Sequence, residues 1–64
     1  MKITINGTPH DLRATTVAEA LEEAGFTGKL ATALNGDFVP AGLRATTALT
    51  EGAALEVLAP MQGG

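Results

Sequence analysis

Cysteine is absent from the chain, which excludes disulfides, thiolate metal ligands and a cysteine nucleophile together. Tryptophan and tyrosine are absent too, and only two phenylalanines are present, so no aromatic series exists on which bases could stack. Basic residues are few. Lys2, Arg13, Lys29 and Arg44 stand scattered against seven acidic residues, for a net charge of −3. That distribution is not a nucleic-acid footprint; an acidic surface suits a basic partner instead. No apolar run approaches the roughly 20 residues of a membrane span, and Met1-Lys2-Ile3-Thr4-Ile5 has neither the apolar core nor the cleavage site of a signal peptide. A cytoplasmic setting fits these absences.

What is present is a globular composition, 45% hydrophobic, in 64 residues. A chain of this size makes one domain and buries only about 60% of the surface it exposes when unfolded, which leaves no room for an enclosed active site beside the core.

Met1 to Ile5 alternates, with Met1, Ile3 and Ile5 on one face. Asn6-Gly7 is a strong hairpin signal because both residues tolerate φ > 0, and Thr8 to Leu12 reads as the returning strand. Pro9 has no N–H for a ladder, so this strand belongs at a sheet edge. Thr16-Val17-Ala18-Glu19 reads as a capping box, Thr16 and Glu19 each satisfying an N–H of the other. Val17, Ala20, Leu21 and Ala24 form one apolar stripe with Glu19, Glu22 and Glu23 on the wet side, predicting a helix from Val17 to Ala24. Gly25 can end it in the left-handed conformation, with Phe26 folding back. Leu30 to Leu34 is a small-residue strand that turns at Asn35-Gly36 into Asp37-Phe38-Val39. An irregular stretch follows, with Leu43 and Leu49 as expected anchors in the core. Ala53 to Ala59 is nearly continuous in apolar residues, as expected of a strand buried inside a sheet. One helix can cover one face of one mixed sheet, an α+β domain. First and last strands side by side and parallel give the β-grasp arrangement of ubiquitin-like proteins. The expected division is a β-grasp domain over 1–59 and an extended, flexible tail over 60–64.

Side-chain chemistry is sparse. His10, the sole histidine, sits across from Ile3 at the sheet rim, with no nucleophile or second ligand to make it catalytic or metal-binding. No metal site and no catalytic group of the chain's own is expected. The Glu19, Glu22, Glu23 cluster reads as a solvated face, and Asn35-Gly36 as a turn rather than half of a phosphate loop, since no glycine-bearing helix follows. That leaves Pro60-Met61-Gln62-Gly63-Gly64. Glycine has no Cβ, so such a tail can enter a narrow slot and expose its carbonyl unhindered. Pro60 stiffens the exit, and five residues reach about 16 Å when extended.

In Met1-Lys2-Ile3-Thr4-Ile5-Asn6-Gly7, Ala33-Leu34-Asn35-Gly36-Asp37-Phe38-Val39-Pro40 and Ala59-Pro60-Met61-Gln62-Gly63-Gly64, the sequence resembles the ThiS family of sulfur carriers for thiamin thiazole synthesis, over essentially its whole length. Glu51-Gly52-Ala53 departs from that family, where Gly followed by Asp is common, as does Gly42, in a stretch often more polar. Both lie in turns. The resemblance implies a protein cosubstrate rather than an enzyme. Gly64 would carry a carboxylate that a ThiF-like adenylating enzyme activates with ATP and Mg²⁺, and Gly63, Gln62, Met61 and Pro60 would form the access tail. Sulfur from a donor such as a cysteine desulfurase would leave a thiocarboxylate for a ThiG-like thiazole synthase to consume. The chain itself would bind no cofactor. A molybdopterin-type sulfur carrier, a ubiquitin-like protein modifier and a plain binding domain are the alternatives. Strand parity places Leu58, with Phe38, on the open sheet face beside the tail, as candidate docking residues.

Overall fold

The computed structural model describes residues 1–59. Its first strand, β1 (Lys2–Ile5), turns at Asn6 (φ 52°) and Gly7 (φ 82°) into β2 (Thr8–Asp11). Both turn residues have positive φ, the conformation that matches hairpin twist. Ile3 lies opposite His10, and Pro9 falls on the edge strand, where its missing N–H costs no ladder bond. The second hairpin repeats the device: β3 (Ala31–Leu34) turns at Asn35 (φ 51°) and Gly36 (φ 88°) into β4 (Asp37–Val39). The last strand, β5 (Ala54–Leu58), enters between the hairpins, parallel to β1 and antiparallel to β3. The described strands run β2-β1-β5-β3-β4. With α1 (Val17–Glu23) against one face, this is the expected α+β mixed sheet in the β-grasp arrangement.

The helix ends are made by short-range chemistry. Thr16 accepts the N–H of Glu19 at 3.2 Å through its hydroxyl. The reciprocal half of the capping box is shifted by one residue: the Glu19 carboxylate takes the N–H and hydroxyl of Thr15, at 2.8 and 2.9 Å, rather than the Thr16 N–H. Thr16 instead forms a bridge with Ala48. The N–H groups of Val17 and Ala18 donate to the carbonyls of Thr47 and Arg44, so the loop after β4 satisfies the helix start. At the other end Ala24 is the cap, Gly25 has φ 85°, and the N–H groups of Phe26 and Gly25 close onto Leu21 and Glu22. That is the paired Schellman pattern, with Phe26 packed on the core.

Val17, Ala20 and Leu21 bury against Ile3, Ile5, Leu55 and Val57, closed by Leu12 and Leu49. Leu49 is thus an anchor as expected. Leu43 is not; its side chain is 54% exposed. A 3₁₀ turn over Ala41–Leu43 leaves Leu43 outside, and the Arg44 side chain turns toward the sheet in its stead. Its guanidinium donates to the Thr32 hydroxyl at 3.0 Å and to the Leu30 carbonyl. Thr32 in turn donates to the Val39 carbonyl at 2.8 Å, which explains how a hydroxyl can sit at 2% exposure. The final segment is central in the sheet as expected. Its burial alternates despite the nearly continuous apolar run, as parity requires when the helix covers one face and, among the described residues, nothing covers the other.

Candidate functional site

The open face of the sheet is built by parity. Leu55 and Val57 point under the helix, so Ala54, Glu56 and Leu58 point away. Register then sets the neighbours: Leu58 lies opposite Ala31, and Ala33 stands between Glu56 and Phe38. Alanines at 31 and 33 leave a shallow concavity of about 210 Å³ between the two large side chains, with Asn6 and Glu56 also lining it. Phe38 is 70% and Leu58 68% exposed. The two residues read as outward-facing are outward-facing, and they border the same depression. Glu56 is the carboxylate among its lining residues.

β5 is held in place by a device that hairpin signals did not reveal. The Asn6 carboxamide bonds both main-chain groups of Val57. Its Oδ1 accepts the Val57 N–H at 2.8 Å and its Nδ2 donates to the Val57 carbonyl at 3.0 Å. Asn35 does a related thing at the other end of the strand. Its Oδ1 accepts the Ala54 N–H at 2.9 Å and its own N–H donates to the Ala54 carbonyl at 2.8 Å. Each asparagine therefore serves its turn through φ and the final strand through its side chain. In the sequence, the recurrence of Asn rather than Asp or Gly before Gly7 and Gly36 was the available signal.

The acidic residues are also more occupied than a solvated face suggests. Glu23 accepts the N–H groups of Arg13 and Ala14, at 2.9 to 3.0 Å, and Glu51 accepts that of Lys2 at 3.1 Å. The backbone N–H of Thr15, reinforced by its hydroxyl, holds the Glu19 carboxyl below the ordinary glutamate range. His10 is half-buried on the edge strand. Among the described residues, no three His, Cys, Asp or Glu side chains converge as metal ligands, and no helix is long and apolar enough to cross a membrane. Pro60, Met61, Gln62, Gly63 and Gly64, the tail expected to carry the chemistry, lie outside the described residues. Leu58 and Ala59, both exposed, are the described residues next to it.

The ThiS family model matches residues 3–64. The crystal structure of the thiamine biosynthesis protein ThiS from Geobacter metallireducens is similar to this chain at 28% identity and a TM-score of 0.83, covering all of both chains. The NMR solution structure of a thiamine biosynthesis protein from the same organism matches at 28% identity and a TM-score of 0.78, over all of this chain and 88% of the other. No curated protein matches the sequence.

Proposed function

The chain belongs to the ThiS family, and on that premise we propose that it is a sulfur carrier of thiamine biosynthesis whose Gly64 carboxylate is the working group. The observation that carries this reading is the extent of the family match, which runs through Gly63 and Gly64 rather than stopping at the β-grasp domain. The chemistry follows from the carboxylate. A free carboxylate is a resonance-stabilised anion and a poor electrophile. Joined to AMP by an adenylating enzyme that uses ATP and Mg²⁺, it becomes a mixed anhydride with a good leaving group. A sulfur nucleophile then displaces AMP and leaves a thiocarboxylate, the form in which a thiazole synthase would take the sulfur. On this reading the chain is a cosubstrate and supplies no catalytic group.

Gly63 gives the reacting carbonyl steric access, and Pro60, Met61 and Gln62 set the reach. Leu58 and Phe38 would hold the domain against the adenylating enzyme while the tail is in its active site. Their exposure around one concavity supports this, since an apolar patch beside a reactive tail is a surface a partner can grip. Intact-mass measurement after incubation with a ThiF-like adenylating enzyme, ATP, Mg²⁺ and inorganic sulfide tests the proposal. The expected product has one oxygen replaced by sulfur. Deleting Gly64 should abolish that product and leave unfolding unchanged, while Gly63→Val should slow it, a β-branched side chain crowding the carbonyl. Normal thiocarboxylation of the Gly64 deletion would sink the mechanism. Ligation to a lysine of another protein would point instead to a modifier.

A further inference from the structure

β1 ends before β5 does. Ile5 is the last β1 residue paired with β5, opposite Leu55, and the Asn6 N–H donates to the Leu55 carbonyl at 2.9 Å. There the chain turns away, at the positive φ of Asn6. A continuing strand would have supplied an acceptor and a donor for the next β5 residue facing that side, Val57. The Asn6 carboxamide supplies both, so one side chain stands in for a missing strand residue. Val57 lies three residues before Pro60, where the tail begins.

We propose that Asn6 is a positioning residue for the terminal reaction: its two bonds to Val57 hold the β1 side of the strand end from which the reactive arm leaves. The inference rests on the carrier reading given above. Without the carboxamide, the last hold on the β1 side retreats from Val57 to Leu55. The β3 ladder, which runs to Leu58 opposite Ala31, then holds the strand end from one side alone. Attack requires reacting atoms held about 3–3.5 Å apart, and a carboxylate carried beyond a strand end held from one side alone spends less time there. Asparagine meets all the requirements at once. Glycine would keep the turn and lose both bonds; aspartate would keep the acceptor but set an anion against the Val57 carbonyl.

Asn35 is the built-in control, because its side chain bonds β5 at Ala54, the end remote from the tail. The test compares Asn6→Gly, Asn6→Asp and Asn35→Gly with the unaltered chain. The first readout is single-turnover acyl-adenylate formation at saturating adenylating enzyme, which removes differences in docking affinity. The second is hydrogen exchange at the Val57 N–H. Asn6→Gly should exchange faster at Val57 and form adenylate about 10- to 100-fold more slowly. Asn6→Asp should fall between it and the unaltered chain, and Asn35→Gly should react at the unaltered rate. The proposal is overturned if Asn6→Gly reacts at that rate, or if Asn35→Gly slows as much, since general loosening would then be the cause. An unaltered chain that forms no adenylate at all overturns the carrier reading itself, and this inference with it.

Discussion

At the scale of single residues, the main surprise is where the carboxylates spend their oxygens. Glu19, Glu23 and Glu51 each accept backbone N–H groups of loop or strand-end residues. The capping-box reading placed the Glu19 carboxylate on the segment before the helix, one residue from its actual partner Thr15. For Glu23, charge patterning showed only that it avoids the core, because the path that brings Arg13 and Ala14 within its reach is fixed by tertiary packing. Glu19 gives a direct test. The Thr15 N–H, then its hydroxyl, hold the carboxyl below its ordinary value of 4.5. A carboxyl depressed in the folded state contributes stability that is present above its unfolded pKa and lost as pH falls through its folded pKa. Unfolding temperature should therefore decline through the acid range below 4.5, and Glu19→Gln, which cannot titrate, should flatten part of that decline. The difference between the two proteins should shrink toward the acid end. Parallel curves across that range would show that the Thr15 contacts carry no ionic component.

At the scale of elements, the chain was legible wherever local chemistry dictates conformation. Both Asn-Gly turns, the edge position of the Pro9 strand and the Gly25 helix end follow from φ preferences and a missing donor, and each is found. Reading fails where an element's environment is set by distant chain. The nearly continuous apolar run of the final strand suggested burial because alanine and leucine stand at two of its outward positions, 54 and 58, with only Glu56 between them, although parity under a single covering helix already placed Leu58 outside. Leu43 misled in the same way: an apolar residue in an irregular loop has no periodicity to say which way it points, and Arg44 took the inward place through Thr32 and Leu30. The recurrence of Asn before Gly7 and Gly36 hinted at a side-chain role, but the partner of the Asn6 carboxamide was illegible for a related reason, since it lies 51 residues away. β5 still offers a sharp test of the element that unites the fold. Leu55 is 1% exposed and pairs with Ile5 and Leu34 on its two sides. Leu55→Ala should cost about 2–5 kcal/mol, by lost transfer energy and the cavity left behind. A domain of this size has stability of that same order, so the urea midpoint should drop steeply or the variant should be largely unfolded. An unchanged midpoint would mean that the core is not centred on β5.

At the scale of the whole molecule, the two faces of the sheet divide the work. One is spent on the helix and on stability, and among the described residues nothing covers the other. This division makes Leu58 an informative position, because stability and docking predict different outcomes for it. Its neighbours in sequence alternate, with Val57 at 4% exposure and Leu58 at 68%, so substitution at 58 leaves the core alone. Across the strand pair it meets only Ala31, and with Phe38 it borders the shallow concavity. Leu58→Asp should therefore change stability by no more than about 0.5 kcal/mol, as exposed substitutions generally do. If this face grips the adenylating enzyme, an anion set into the apolar patch should weaken that complex by about 1–2 kcal/mol, roughly 5- to 30-fold in affinity. Thiocarboxylation should slow at subsaturating enzyme and recover as enzyme is raised, because the substitution impairs binding rather than the delivery of the carboxylate. That recovery separates Leu58 from Asn6, whose loss should slow the reaction even at saturation. Titration calorimetry with the adenylating enzyme, set beside urea unfolding of the same variant, checks both halves. Normal affinity would move the docking surface elsewhere, the next candidate being the face where Leu43 stands exposed beside Pro40. Unfolding by Leu58→Asp would instead mean that the open face is covered in the native protein, and that the parity on which the site is built assigns it wrongly.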